Sequence, residues 1–201
     1  MPSQSGFKKR KVRILNGSQT ASTLAAYLAG IELERDYMND PLFAAYTRGL
    51  MFDEILPATD LEPEDMKRFA NSCLERLRNP FIAHSLIDIS LNSVPKWRAR
   101  ILTFSLASLL AFYRCEERDG HFYGCRDGVE YEVRDDLDTL RFFAAHSQKP
   151  AAEYVHAYVE ARQFHGTDFS AIPGFEAQVT KYLEGIQKDG VRKTLEAMMA
   201  T

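Results

Sequence analysis

"ILTFSLASLLAF", residues 101 to 112, is the longest apolar run in the chain. A membrane-spanning helix needs about 20 apolar residues, so this run is too short to cross a bilayer. It reads instead as a buried helix of a folded domain. Working outward from it, helical periodicity dominates on both sides. Pro95 can open this helix and Tyr113 can close it. Upstream, "LEPEDMKRFANSCLERLRNP" (61–80) places Pro63 near a helix start, acids in the first turn, Arg76 and Arg78 in the last, and Asn79-Pro80 as a stop. Residues 81–91 predict a short helix. Pro41 to Ile55 predicts an amphipathic one with Leu42, Tyr46, Leu50 and Ile55 inward. Downstream, helical patterns return at about 135–146, 150–164 and 175–199, around the turn-rich connector "GTDFSAIPGF".

Only between 114 and 134 does the character change. "GHFYGCRDGVEYEV" (120–133) alternates aromatic and β-branched residues around Arg126-Asp127-Gly128, a hairpin signal. The expected fold class is therefore mainly α, a multi-helical domain with one small β-hairpin around 121–133. No stretch repeats at a fixed period. The chain has no alternation of strands and helices, no G-x-G-x-x-G after a strand and no G-x-x-x-x-G-K-[ST], so no Rossmann domain is present.

The 201 residues allow one generous domain or two small ones, and 45% hydrophobic with 26% charged residues is ordinary globular composition. A net charge of -3 gives no reason to expect nucleic acid or an anionic membrane as partner. The local exception is Lys8, Lys9, Arg10, Lys11 and Arg13, which fits a phosphate-binding patch, a nuclear signal or a solvated terminus. The odd number of cysteines (Cys73, Cys115, Cys125), without framework spacing, points to a reducing, cytoplasmic setting. Cys115, His121 and Cys125 match no zinc spacing and lack an evident fourth ligand, so no metal is expected.

At the start, "KVRILNGSQT" (11–20) reads as a basic, strand-like run that breaks at Asn16-Gly17 into an apolar helix. Ser18 is the expected N-cap, Ala21, Leu24, Ala25, Leu28 and Ala29 the inward stripe, and Gly30 the end. This stretch resembles the K-x-x-x-x-N-x-x-H signature of the polyol-specific long-chain dehydrogenases, the mannitol dehydrogenase family, with glutamine where histidine is expected. "RNPFIAHSLIDISLNSVPKWRARIL" (78–102) resembles that family's second signature, an Asn-Pro turn followed by a helix and a lysine. "SLNSVPK" (90–96) and "GTDFSAIPG" (166–174) look most like its tagaturonate reductase (altronate oxidoreductase) branch. The resemblance runs from about Lys9 to the end of the chain.

The resemblance implies a C-terminal, mostly helical substrate domain. Residues 1–201 would form that single domain, with 1–16 a basic leading segment adjoining an N-terminal NAD-binding domain that the chain lacks. That Rossmann partner would act in cis or in trans, and the isolated chain would be inactive. The cofactor implied is NAD, and the substrate a small sugar acid or polyol, D-tagaturonate and D-altronate first. Fructuronate reductase or mannitol dehydrogenase activity is the alternative, as is a non-catalytic helical domain kept for assembly or regulation.

Ketone reduction leaves an alkoxide that needs a proton donor and hydrogen-bond donors. A lysine can be that acid when burial or neighbouring cations favour its neutral form. The resemblance assigns this role to Lys11, an amide donor to the oxyanion to Asn16, and the expected histidine position to Gln19. Glutamine keeps donor and acceptor capacity but cannot carry a proton charge near neutrality. Lys96, His84 and Asn92 are the expected substrate-binding set. Asn16-Gly17 is also ordinary turn chemistry, His84 fits a structural histidine, and Trp97 fits a core residue.

Overall fold

A computed structural model describes residues 10–59, 62–94 and 103–200 of the chain. The first signature is helical throughout rather than a strand and a turn. Lys11–Leu15 is a π-helical turn that continues directly into α1 (Asn16–Leu28). Ser18 is therefore inside a helix, not at its N-cap. Its Oγ donates to the carbonyls of Ile14 (2.8 Å) and Leu15 (3.0 Å). Thr20 and Ser22 bond back in the same way to Asn16 and Ser18. Hydroxyls bonded backward occupy carbonyls where the ladder changes pitch, so Asn16-Gly17 passes without a break.

α1 ends at Gly30, whose φ of +89° is the left-handed conformation that glycine adopts without a Cβ penalty. Ile31 N–H bonds to Ala26 O and Gly30 N–H to Tyr27 O, closing a Schellman cap. The chain turns back there into a short extended stretch and then α2 (Glu34–Asn39). α3 (Pro41–Gly49) follows, capped by Asp40 and extended by a second π segment, Leu50–Ile55. Tyr46 and Leu50 of the expected inward stripe are buried, along with Phe43 and Met51, while Leu42 and Ile55 are half-buried.

α4 (Pro63–Leu77) starts at Pro63 and stops before Asn79-Pro80, as its sequence requires. The helix expected over 81–91 shrinks to α5 (Leu86–Ile89). Residues 80 and 81 instead form a turn on Asn79, and Ser85 is extended where it bridges Leu33. α6 (Thr103–Phe112) is the described part of the apolar run, and it is buried nearly all round. Such a helix has no polar face to turn outward, so it becomes the centre. α1 packs on it, as does α10 (Phe175–Asp189).

The expected hairpin is present as β2 (His121–Arg126) and β3 (Val129–Glu132), with Arg126 paired to Val129 across Asp127-Gly128. The sequence reading missed one strand. β1 (Cys115–Arg118) pairs antiparallel with β2, giving a three-stranded sheet in the order β1-β2-β3. "CEER" carries no alternation of apolar and polar residues. The turn at Asp119-Gly120, both at positive φ, and pairing with β2 make it a strand. The later helices are α7 (Leu137–His146), α8 (Ala151–Glu160), α9 (Arg162–His165), α10 and α11 (Val191–Met199). The pattern expected to run unbroken over 175–199 is divided at Gly190 (φ +83°). One cluster of buried apolar side chains runs from Ile14 to Leu195.

Candidate active site

The K-x-x-x-x-N spacing makes little sense on an α-helix, where five residues turn the side chain about 140° away. The π turn changes this. Asn16 N–H bonds to the carbonyl of Lys11, five residues back, so the two residues sit one turn apart on the same stripe. Gln19 lies three residues further on in α1, where i and i+3 share a face. Lys11 is exposed, and Asn16 and Gln19 are half-buried. The neighbouring arginines are engaged elsewhere. Arg10 pairs with Asp65 and lies over the Phe69 ring, and Arg13 donates to Ala58 O at 3.1 Å.

Gln19 does more than mark a missing histidine. Its Nε2 donates to Oε1 of Glu34, and His84 Nδ1 lies 3.3 Å from the other oxygen of the same carboxylate. Backbone bonds hold this geometry. Glu34 N–H donates to His84 O at 2.9 Å and Leu86 N–H to Glu32 O at 2.8 Å, flanking the Leu33–Ser85 bridge. Glu34 is only 5% exposed, whereas the His84 side chain is 63% exposed. The structure thus joins two expected site residues through a third that sequence reasoning missed. Among 28 acidic residues, nothing local distinguishes Glu34; only the return of the chain after Gly30 brings it under Gln19.

Beneath this cluster Tyr37 is fully buried. Burial pushes its hydroxyl above the usual phenol range, with the Glu34 carboxylate adding to the effect.

Asn92 does not join the cluster. Its φ is +54°, which asparagine tolerates better than most residues, and its N–H bonds to Arg134 O at 3.2 Å. That left-handed backbone suits asparagine. The segment after it is anchored by a second polar network. Tyr113 donates to Asp135 Oδ2 (2.5 Å), Ser93 N–H to the Tyr113 hydroxyl (3.2 Å) and Val94 N–H to the same carboxylate oxygen (3.4 Å). Burial raises both Tyr113 and Asp135 above their ordinary ranges. Lys96 and Trp97 lie outside the described residues, as do Lys8 and Lys9.

Other features compete poorly. A cavity of about 520 Å³ lies against the sheet, α10 and the start of α11, and three of its lining residues are Arg114, Arg118 and Arg126. Arg118 is paired with Glu130, Arg126 with Glu32 and Tyr27 O, and Arg114 with the carbonyls of Ser147 and Lys149. Cys115 is buried, its thiol pushed up to about 12 by burial, and Cys125 is exposed. Among the described residues no group of three or more His, Cys, Asp or Glu side chains is placed to hold a metal ion, and no helix is long and apolar enough to cross a membrane.

The fold and site together define a helical domain that carries a lysine and an asparagine on its first signature, beside an amide–carboxylate–imidazole cluster. Residues 5–111, more than half of the chain, match the mannitol dehydrogenase C-terminal domain, and the chain belongs to that family. It is 36% identical over 209 residues to altronate oxidoreductase of Klebsiella pneumoniae (strain 342), covering 96% of this chain and 43% of the relative. It is 35% identical to altronate oxidoreductase of Yersinia enterocolitica, covering 95% and 42%. Its fold matches Pseudomonas fluorescens mannitol 2-dehydrogenase, solved as a ternary complex with NAD and D-mannitol, with a TM-score of 0.82 and 21% identity over 100% of this chain and 42% of that one. A substrate-free D-sorbitol dehydrogenase matches at TM-score 0.71 and 15% identity, over 97% of this chain and 41% of that one. The chain spans less than half the length of these relatives.

Proposed function

We propose that this chain is the substrate-side domain of a cytoplasmic NAD-dependent oxidoreductase that interconverts D-tagaturonate and D-altronate. The observation that carries this reading is the π turn, which places Lys11 and Asn16 on one stripe while Gln19 and His84 converge on Glu34. Likeness to altronate oxidoreductases along 96% of the chain supports the choice of substrate.

A bound nicotinamide supplies or accepts the hydride in such chemistry. The described residues offer it no cradle. The sheet is antiparallel and small, and no glycine-rich turn of the dinucleotide type occurs in the sequence. NAD therefore belongs to a nucleotide-binding domain that residues 1–16 adjoin, joined in cis or supplied in trans, and residues 1–201 act as one domain beside it. What this chain does is hold the sugar acid and move a proton. The Lys11 ammonium donates to the substrate oxygen on reduction and its neutral amine takes the proton back on oxidation. The Asn16 amide donates a hydrogen bond to that oxygen. His84, Asn92 and Lys96 complete the substrate-binding set.

The test is an NADH-linked assay of D-tagaturonate, D-fructuronate and D-fructose, with the chain alone and joined to a nucleotide-binding domain. Turnover fastest with D-tagaturonate, only in the joined protein, is the expected result. Lys11→Ala should lower kcat about 10²- to 10⁴-fold, the usual contribution of a placed acid–base group. An active Lys11→Ala enzyme would remove the mechanism. Preference for D-fructuronate or D-fructose would move the chain to the fructuronate reductase or mannitol dehydrogenase reading. Gln19 favours a different reading, a non-catalytic domain kept for assembly or regulation, which inactivity of the joined protein with all three substrates would support.

A further inference from the structure

We infer that Glu34 is a positioning residue that turns Gln19 and His84 into a pair of hydrogen-bond acceptors for the hydroxyl groups of a polyhydroxy substrate. The inference rests on the substrate-side reading of this face and adds a residue and a recognition chemistry to it.

An ionised carboxylate can only accept hydrogen bonds. With Gln19 on Oε1 and His84 on Oε2, Glu34 decides how both partners are oriented. Gln19 must turn its NH₂ toward the carboxylate, which leaves its carbonyl oxygen as the group it offers elsewhere. His84 must carry its proton on Nδ1, which leaves the Nε2 lone pair as an acceptor on an exposed ring. Neither choice is open to a flexible surface side chain. A buried carboxylate without partners is costly, so releasing either one is opposed. The backbone gives the same answer independently. Glu34 N–H is tied to His84 O at 2.9 Å beside the Leu33–Ser85 bridge, so the two residues stem from backbones held side by side.

Two outward acceptors are the complement of hydroxyl donors, and a sugar acid carries several in a row. The arrangement also gives position 19 a purpose without a titratable ring. The amide orients on the carboxylate from one side, and the imidazole stands on the other.

The ring's tautomer tests the geometry directly. In the full chain, nitrogen-15 spectra of neutral His84 should show the Nδ1–H form. In Glu34→Gln, whose amide can donate to Nδ1, the ring should revert to Nε2–H. An Nε2–H ring in the wild type, or no change in the variant, overturns the inference. Substrate recognition is tested in the enzyme joined to its nucleotide-binding domain with D-altronate as the probe. Losing an acceptor worth about 1.4 kcal/mol is a tenfold effect. Glu34→Gln should therefore raise KM about tenfold while kcat changes much less. Should Glu34→Gln fail to fold, His84→Ala, at an exposed side chain, carries the same expectation for KM. Unchanged KM in the folded variants overturns the substrate role. If the wild-type joined enzyme is inactive on sugar acids, the functional reading falls and the substrate role with it, while the tautomer still decides whether Glu34 sets the ring.

Discussion

Gly124 shows how narrowly a single position can be set. It faces Tyr131 across β2 and β3, and a Cβ there would lie 2.5 Å from the Tyr131 ring. The ring cannot move aside. Its hydroxyl donates to Phe112 O at 2.8 Å, it stacks on Phe112 at 4.8 Å, and Tyr27 meets it edge-on at 5.2 Å. Gly124→Ala should therefore cost about 1–3 kcal/mol, the usual penalty of overpacking, read as a lower urea midpoint with an unchanged slope. At the same scale, Lys11, Asn16, Gln19 and His84 were legible as candidates from the motifs that hold them. Glu34 was not, because its role depends on a contact made across the turn at Gly30.

Among the elements, the junction of α2, α3 and α11 turns on Asp40. Its carboxylate accepts from Leu42 N–H (3.0 Å) and Phe43 N–H (3.3 Å) at the start of α3, and Arg192 of α11 reaches it at 2.6 Å. The Arg192 guanidinium holds the Asp40 carboxyl below its ordinary value of 3.8. A carboxyl lowered by folding stabilises the protein fully above its unfolded pKa, and that contribution fades as pH falls through the folded one. Asparagine is also a good N-cap, so Asp40→Asn isolates the ion pair. It should cost about 1 kcal/mol at pH 7, with the difference from wild type shrinking as pH falls below 3.8 and gone once pH is below the lowered folded pKa. Melts at several pH values would show this, and a constant difference would mean that the cap, not Arg192, matters. Helix existence was mostly legible at this scale, from Pro63, Asn79-Pro80 and the apolar stripes. The π turn was not, because Asn-Gly reads locally as a turn and the back-bonding of Ser18 that carries the helix through appears only in three dimensions.

For the whole molecule, the match to the family ends at residue 111, but the core does not. Phe104 of α6 meets Tyr46 from the first half and Tyr182 from α10, at 5.5 and 5.6 Å. The network that anchors Ser93 and Val94 depends on Tyr113 and Asp135. The site-bearing half is thus supported by elements beyond it. A chain ending at Gly174 should lose the cooperative thermal transition of the full chain, since α6 would be left with an apolar face in water. Retained cooperative melting, followed by circular dichroism, would show that the chain up to Gly174 folds without α10 and α11.

Sequence alone determined the helical class, the hairpin at 121–133, the absence of a Rossmann fingerprint and the residues of the first signature, because periodicity, turn chemistry and motif spacing are local properties. Tertiary structure decided the rest. It added β1 through pairing with β2, shortened the helix at 81–91 through the Leu33–Ser85 bridge, and carried the helix across Asn16-Gly17. It also chose Glu34 as the carboxylate between Gln19 and His84. The Leu33–Ser85 bridge and the Glu34 cluster rest on partners distant in the chain, and a hydrogen bond between such partners exists only once the fold has brought them within about 3 Å.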